Sequence, residues 1–184
     1  MIDTISQCFL NTVKTYVKND LMLYKKEGRY VPISTEEFKD RVKYFALGLK
    51  DLGLKAGDKL NIISETRPEW VMADIGNLCL GGITVPIYTT LVAEQVKYII
   101  KDSDAKVVIF ADLEQWKKIK AVKSELSKVS HYITFLSEAP EGVLTFSQVM
   151  ERGKRVDQAN PGLFEKLAAD IKPCLLYTSD AADE

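Results

Sequence analysis

The chain of 184 residues has a composition ordinary for a globular protein, with 46% hydrophobic and 28% charged residues, which argues against disorder and against a fibrous class. Its formal net charge of -1 and pI near 6.0 give no electrostatic reason to expect nucleic acid as a partner. Three scattered cysteines, Cys8, Cys79 and Cys174, predict neither a disulfide framework nor a metal site. We therefore expect reduced thiols and a cytoplasmic protein.

The N-terminal part of the chain predicts helices and no leader peptide. The stretch "MIDTISQCFLNTVKTYVKND" has apolar residues at helical spacing and lacks a basic leader with a continuous apolar run. Further on, Ser34 with Glu37 predicts a capping box, and Ile33 can pack on Phe38 as a hydrophobic staple. An apolar stripe at steps of three and four then predicts one buried helix face that ends at Gly53.

The next segment predicts a strand followed by a buried helix. "KLNIIS" is typical of a short strand, and "TRPEWVMADIGNLCLGG" follows it with Thr66 and Glu69 as a second predicted capping box around Pro68. This helix is apolar on nearly every side, which indicates burial between other elements. Gly81 and Gly82 mark its end.

The central part of the chain alternates strands with helices. "ITVPIY" is followed by a helix in "VAEQVKYIIKDSD", a strand in "KVVIF", a helix in "LEQWKKIKAVKSEL" and a strand in "HYITFL". This alternation predicts an α/β fold, a parallel sheet with flanking helices, and the unbroken apolar run 107–110 predicts a strand buried on both faces. Beyond Leu136 we expect two short helices, polar enough to lie on the surface.

The glycine pattern does not predict a phosphate-binding loop. Neither GxGxxG nor GxxxxGK followed by Ser or Thr occurs in the chain. We interpret Gly48, Gly53 and Gly57 as residues of helix ends and turns.

The titratable residues do not predict a catalytic group either. His131 is the only histidine, and no carboxylate or nucleophile in the sequence is placed to act with it, so we expect a structural histidine in the core or at an edge. Glu65, Glu69 and Asp74 are close in sequence, but helix initiation explains them better than acid–base chemistry. We therefore predict no catalytic, cofactor-binding or metal-binding residue in this chain.

One predicted helix is strongly basic. Lys117, Lys118, Lys120 and Lys123 lie opposite an apolar face. A solvated face explains this pattern, and a peripheral contact with the inner face of an anionic membrane is the alternative.

Most of residues 28 to 173 resembles the adenylate-forming acyl-CoA synthetases, specifically the long-chain fatty acid–CoA ligase branch. The resemblance lies in "YVPISTEEF", in "LGLKAGDKLNIISETRPEWVMADIGNLCLGGITVPIYTTLVAEQVKYIIKDSDAKVVIF" and in "EKLAADIKP". The chain departs from the family at Thr66, Thr89 and Val92, where Asn, Pro and a Ser or Thr helix cap are usual. The last change predicts a cap shifted back to Thr90.

The resemblance implies a ligase that acts in two steps. A fatty acid attacks ATP to give an acyl-adenylate and pyrophosphate with Mg²⁺, and coenzyme A then displaces AMP. In the family the phosphate loop and the other working motifs lie downstream of the stretches quoted above. Residues 1–173 would therefore be the N-terminal part of the AMP-binding domain, an incomplete subdomain that is inactive alone and binds neither ATP, Mg²⁺ nor coenzyme A well. Fatty acid is the implied substrate of the whole enzyme, and a homodimer remains open.

The last eleven residues, 174–184, do not fit the family. "DIKP" is followed by "CLLYTSDAADE", which matches the family's phosphate loop only at Tyr177-Thr178-Ser179. The residues that follow supply no glycine, and their aspartates would repel phosphate. One reading frame of a common transposase-type sequencing adapter encodes this tail, so we expect the natural residues to end at about Pro173.

Two alternatives stay open at the level of sequence. The chain could be a stand-alone, non-catalytic α/β binding or scaffold domain that ends at Glu184. Within the family, the substrate could be a medium-chain or aromatic acid. An unfolding measurement would test the first alternative, because a stand-alone domain unfolds cooperatively whereas a truncated subdomain exposes apolar surface.

Overall fold

The computed structural model describes residues 4–172, so the predicted tail lies outside the described residues. The helices are α1 (Ile5–Thr15), α2 (Thr35–Asp51), α3 (Pro68–Leu78), α4 (Ala93–Asp102), α5 (Leu113–Val122), α6 (Phe146–Ala159) and α7 (Leu163–Ala169). The strands are β1 (Met22–Lys26), β2 (Arg29–Ile33), β3 (Lys59–Ile63), β4 (Ile83–Ile87), β5 (Val107–Phe110), β6 (His131–Thr134) and β7 (Leu144–Thr145). Each predicted helix and strand up to residue 136 is present.

The centre of the fold is a five-stranded sheet in the order β4-β3-β5-β6-β7. All four pairings are parallel, which confirms the predicted sheet. Strand β4 lies on one side of β3, and β5, β6 and β7 follow in order on its other side. The connection from β4 to β5 therefore passes over β3. The strand order therefore reverses between β3 and β5.

Helices cover both faces of this sheet, as the apolar run 107–110 predicts. Val107 and Ile109 lie in a core with residues of α1, α2, α3, α6 and α7. Val108 and Phe110 point the other way, into a core with residues of α4 and α5. Because successive side chains of a strand alternate between faces, an unbroken apolar run is what a sheet covered on both sides requires.

The start of α2 follows the predicted capping signal in part. The Ser34 hydroxyl accepts a hydrogen bond from the Glu37 backbone N–H at 3.1 Å. The Glu37 carboxylate does not return to Ser34 and instead forms an ion pair with Arg41, one turn later. At the other end Gly53 has φ +91, the left-handed conformation expected of a helix stop.

The predicted Thr66–Glu69 capping box is wrong. Arg67 is the N-cap of α3, and no side chain caps it. The reason is Pro68, which occupies the first helical position and fixes where the helix begins. Glu69 is consequently the second helical residue, one short of the position from which a side chain reaches back, and it accepts a hydrogen bond from the Arg67 Nε at 2.8 Å.

Helix α6 exposes most of its residues, as expected of a helix on the surface, and its buried side packs closely along α2. A Cβ at Gly153 would lie 1.8 Å from the Tyr44 carbonyl oxygen, and a Cβ at Gly48 would lie 2.0 Å from the Val149 carbonyl oxygen. Gly48 is therefore a residue of close backbone approach inside α2, and its interpretation as a helix-end or turn residue is wrong.

A β-hairpin that the sequence analysis did not predict connects α1 to α2. Strands β1 and β2 pair antiparallel from Met22 opposite Ile33 to Lys26 opposite Arg29. The two residues between the strands, Glu27 and Gly28, have φ of 49° and 79°. Positive φ at both positions is characteristic of a two-residue hairpin loop, whose twist matches that of the flanking strands.

Candidate functional site at the carboxyl edge of the sheet

The carboxyl ends of the parallel strands lie along one edge of the sheet, which we call the carboxyl edge. The loops 64–67, after β3, and 111–112, after β5, flank the point at which the strand order reverses. In open α/β sheets ligands bind outside the carboxyl ends of the strands at such a point. This edge is therefore the candidate functional site of the fold.

Arg67 is the charged side chain that organises the β3–α3 loop. Its Nε donates to Glu69, and its guanidinium carbon lies 5.1 Å from the centre of the Phe135 ring, which follows β6. Burial by itself would raise the pKa of Glu69, but the hydrogen bond from Arg67 and its positive charge outweigh burial and lower it. The pair thus stays ionised and links the loops after β3 and β6.

An open groove of about 840 Å³ lies beside this loop. One wall is strand β1 from Met22 to Lys26, and the other runs from Thr66 to Val71. The groove is lined by apolar side chains, by the cations Lys25, Lys26 and Arg67, and by the Glu69 carboxylate that pairs with Arg67. Such a lining suits an amphipathic anion better than a neutral polar ligand. The sequence analysis missed Lys25 and Lys26, although the apolar run "LMLY" shortly before Gly28 is a signal for this strand.

The β4–α4 loop contributes exposed apolar side chains to the same edge. Tyr88 and Val92 are exposed, and the Thr89 carbonyl accepts a hydrogen bond from Lys118 Nζ at 2.6 Å. The predicted shift of the α4 cap to Thr90 is wrong, since Val92 is the N-cap. Its backbone N–H donates to the Gln95 side chain at 3.2 Å, so half of a capping box remains without a Ser or Thr.

The structure places His131 away from the candidate site. It begins β6 at the amino edge, opposite the candidate site, and its Nε2 lies 3.1 Å from the Leu52 carbonyl oxygen. Glu65 is exposed in the β3–α3 loop. Asp74 is half-buried in α3; burial raises its pKa, and a hydrogen bond from Thr84 acts in the opposite direction. The structure does not bring His131 together with either carboxylate.

The four lysines of the predicted basic helix, three on α5 and Lys123 directly after it, divide into two groups. Lys118 contacts Thr89, and the Nζ of Lys123 lies 5.5 Å from the Trp116 ring centre and 4.9 Å from the Tyr132 ring centre. Lys117 and Lys120 are exposed. Two of the four lysines thus contact the protein itself, which favours the solvated-face interpretation; membrane contact by this helix stays a prediction.

Between residues 4 and 172, no group of three His, Cys, Asp or Glu side chains could hold a metal ion. Over the same span no helix has both the length and the apolar content required to cross a bilayer. Cys8 and Cys79 are free thiols, exposed and buried respectively. Cys174 and Tyr177-Thr178-Ser179 lie outside the described residues.

The sequence matches the protein-family model described as "AMP-binding enzyme" over residues 11–179. The chain belongs to this family. The match confirms the family resemblance drawn from the central stretch of the sequence.

Curated relatives of this AMP-binding chain include long-chain-fatty-acid–CoA ligases. The one from Mycobacterium bovis is 37% identical over 166 residues, which cover 87% of this chain and 27% of the relative. One from Xenopus laevis is 27% identical over 183 residues, covering 96% of this chain and 24% of the relative. The chain therefore spans about a quarter of the length of the curated relatives that it matches.

Solved structures of related ligases share its fold. The acetoacetyl-CoA synthetase from Streptomyces lividans superposes with a TM-score of 0.72 at 19% identity, over 80% of this chain and 25% of that one. The anthranilate CoA ligase AuaEII, in complex with anthranoyl-AMP, superposes with a TM-score of 0.71 at 21% identity, over 80% and 28%. These likenesses confirm the α/β class and the fold of the adenylate-forming enzymes.

Proposed function

We propose that this chain is the N-terminal part of a long-chain fatty acid–CoA ligase, which joins a fatty acid to coenzyme A at the expense of ATP through an acyl-adenylate. The observation that carries the proposal is the 37% identity to a long-chain-fatty-acid–CoA ligase over 87% of this chain. Family membership and the shared fold support it.

Residues 4–172 offer no free glycine-rich backbone loop to the phosphates of ATP. Their one pair of adjacent glycines, Gly81 and Gly82, precedes β4 at the amino edge, opposite the candidate site. Both backbone N–H groups are already engaged, with the carbonyls of Leu78 and Asn77 at 2.9 and 3.0 Å. A Cβ at Gly82 would lie 2.1 Å from the Asn77 side-chain oxygen, so this glycine serves packing. We therefore assign no step of the reaction to these residues.

The role proposed for this part of the enzyme is to form a rigid carboxyl edge against which the catalytic residues of the whole protein assemble. Helices cover both faces of the sheet, and the Arg67 side chain joins the loops after β3 and β6. A buried Asn61 adds a cross-link, because its amide donates to the Val85 carbonyl and to Ser103 at 3.3 Å each. Such a frame reduces the entropy that is lost when the reacting groups are held in place.

The first experiment is to sequence independent source DNA through the codon for Pro173 and onward. We expect the frame to continue into a glycine-rich loop rather than into the eleven-residue tail. Independent DNA that reproduces the tail and then a stop codon would contradict the proposal and favour a stand-alone binding or scaffold domain.

The second experiment assays the complete protein expressed from that gene. We expect pyrophosphate release and acyl-CoA formation that depend on a long-chain fatty acid such as palmitate, with weaker activity on octanoate and benzoate. The matched control is the 184-residue chain itself, for which we expect no adenylation. Preference of the complete enzyme for octanoate or benzoate would overturn the substrate class, and activity of the 184-residue chain would overturn the role assigned to it.

A further inference from the structure

One contact at the carboxyl edge joins two loops that do not follow neighbouring strands. Arg67 belongs to the loop after β3, and Phe135 directly follows β6. Strand β5 lies between β3 and β6 in the sheet. Because neighbouring strands are about 4.8 Å apart, β3 and β6 are separated by roughly 10 Å. The contact between the Arg67 guanidinium and the Phe135 ring therefore spans the carboxyl end of β5, beside the point at which the strand order reverses.

The Arg67 side chain is fixed at its base and at its tip. Arg67 is the N-cap of α3, and the following Pro68 restricts its backbone to the extended conformation, with φ of -155° and ψ of 161°. At the tip, the Nε donates to the Glu69 carboxylate at 2.8 Å, and the guanidinium carbon lies 5.1 Å from the centre of the Phe135 ring. The planar guanidinium thus has one defined position.

Phe135 is itself anchored in the core. It is buried, and its backbone N–H donates to the Phe110 carbonyl at 3.1 Å, which extends the pairing of β6 with β5. Its ring lies 5.6 Å from the ring of Phe146 on α6, and Phe146 stacks on Phe45 of α2 at 4.4 Å. Arg67 therefore connects the β3–α3 loop to a part of the fold that is held by helix packing.

The other residues of the β3–α3 loop, 64–66, have no comparable anchor. The Ser64 hydroxyl donates to the carbonyl of its neighbour Glu65 at 2.8 Å, and both Glu65 and Thr66 are exposed. Within residues 4–172, no hydrogen bond or ion pair joins any of these three side chains to another helix or strand. The position of this loop therefore depends on Arg67.

We propose that Arg67 is a positioning residue of the ligase reaction. It holds the β3–α3 loop at the reversal of strand order, where ligands bind in open α/β sheets. It acts through the position of this loop and not as a ligand of the substrate, because Glu69 engages its Nε and Phe135 covers its guanidinium. The inference rests on the proposed function and names a residue on which the reaction depends.

The expected kinetic effect follows from this role. A misplacement of reacting groups by about 1 Å lowers the rate by about 100-fold, even when the substituted residue is far from the chemistry. Loss of positioning lowers kcat and leaves KM unchanged, whereas loss of a direct substrate contact raises KM. For Arg67→Met in the complete ligase we expect kcat to fall by roughly 10- to 100-fold. The KM values for ATP and fatty acid should stay within about twofold.

Nuclear magnetic resonance of the 184-residue chain tests the contact independently of ligase activity. The side-chain protons of Arg67 should show ring-current shifts, which Phe135→Leu should remove. Arg67→Met should lower the backbone order parameters of residues 64–67, because the loop loses its anchor. Arg67 shifts that Phe135→Leu leaves unchanged, or order parameters that Arg67→Met leaves unchanged, would overturn the inference.

Arg41→Met is the matched control. Arg41 also pairs with a glutamate, and its side chain is 37% exposed against 35% for Arg67, but its partner Glu37 lies on the same helix, α2. The substitution removes the same charge without releasing a loop. It should leave the order parameters of residues 64–67 unchanged and kcat within about twofold. An equal loss of kcat in Arg41→Met and Arg67→Met would indicate a general charge effect and overturn the assignment to Arg67.

Kinetics of the complete ligase, expressed from the source gene, test the role itself. Rates are compared per folded enzyme, with folding checked by far-UV circular dichroism. Phe135→Leu should also lower kcat, and the double variant should lose no more than Arg67→Met alone, because both substitutions break one contact. If Arg67→Met does not fold, an unchanged kcat in Phe135→Leu overturns the role.

The outcomes separate this inference from the proposed function. Inactivity of the unsubstituted complete protein would overturn the proposed function and the role of Arg67 with it. An active enzyme whose kcat is unchanged by Arg67→Met would overturn the positioning role alone. A raised KM with unchanged kcat would make Arg67 a substrate ligand and would likewise overturn the positioning role.

Discussion

Gly153→Ala tests how closely α2 and α6 approach each other. The added Cβ would lie 1.8 Å from the Tyr44 carbonyl oxygen and 2.6 Å from the Gly48 backbone nitrogen. Ordinary contact begins near 3.4 Å, so α6 must move away by about 1.6 Å, the difference between 3.4 and 1.8 Å. Both close atoms belong to the backbone of α2, and neither can rotate aside.

The size of the effect follows from two opposing contributions. Alanine favours a helix by about 1 kcal/mol over glycine. Overpacking of a tight interface costs about 1–3 kcal/mol, and separation of the helices also loosens the stacked rings of Phe45 and Phe146, whose centres are 4.4 Å apart. We expect a net loss of about 2 kcal/mol, which for a chain of this size lowers Tm by about 4–8 °C.

Thermal and urea unfolding followed by far-UV circular dichroism measure this loss. The matched control is Gly76→Ala in α3, where the nearest atoms to an added Cβ are at 3.3 Å and only a slight adjustment is required. Its free energy of unfolding should stay within about 1 kcal/mol of that of the parent. If Gly153→Ala is as stable as the parent or more stable, the close approach of α2 and α6 is wrong.

Two further outcomes follow from shifted pKa values. In the folded chain the pKa of Glu69 lies below its ordinary value of 4.5. The ion pair between Glu69 and Arg67 therefore stabilises the fold above pH 4.5, and this stabilisation is lost as the pH falls through the pKa of Glu69 in the folded chain. Arg67→Met should therefore raise the pKa of Glu69 in an NMR titration and weaken the chain above pH 4.5; an unchanged pKa would refute this assignment. Burial raises the pKa of the Cys79 thiol to about 12, whereas Cys8 is exposed. Peptide mapping after iodoacetamide treatment at pH 8 should therefore find Cys8 labelled well before Cys79. Equal labelling of the two thiols would contradict the buried position of Cys79.

Local signals in the sequence determined where most elements begin and end. Ser34 accepts from the third helical residue, Gly53 takes the left-handed conformation, and the run 107–110 is buried on both faces. Each of these depends on a few neighbouring residues and on the period of apolar side chains, which are readable without knowledge of the fold. At the start of α3 the capping signal of Thr66 conflicts with the signal of Pro68, which fixes the first helical position, and the predicted capping box is wrong.

Tertiary structure alone decided which elements meet. Gly48 and Gly153 are 105 positions apart, and their role appears only when α2 and α6 lie side by side. The reversal of strand order between β3 and β5, which defines the candidate site, is likewise a property of pairing. The position of the β1–β2 hairpin depends on a turn at Glu27-Gly28 and on Thr35, whose hydroxyl donates to the Tyr16 carbonyl nearly twenty residues away. Local propensity specifies the conformation of a segment, but long-range packing selects its neighbours, and the exposed and basic surfaces follow from that selection.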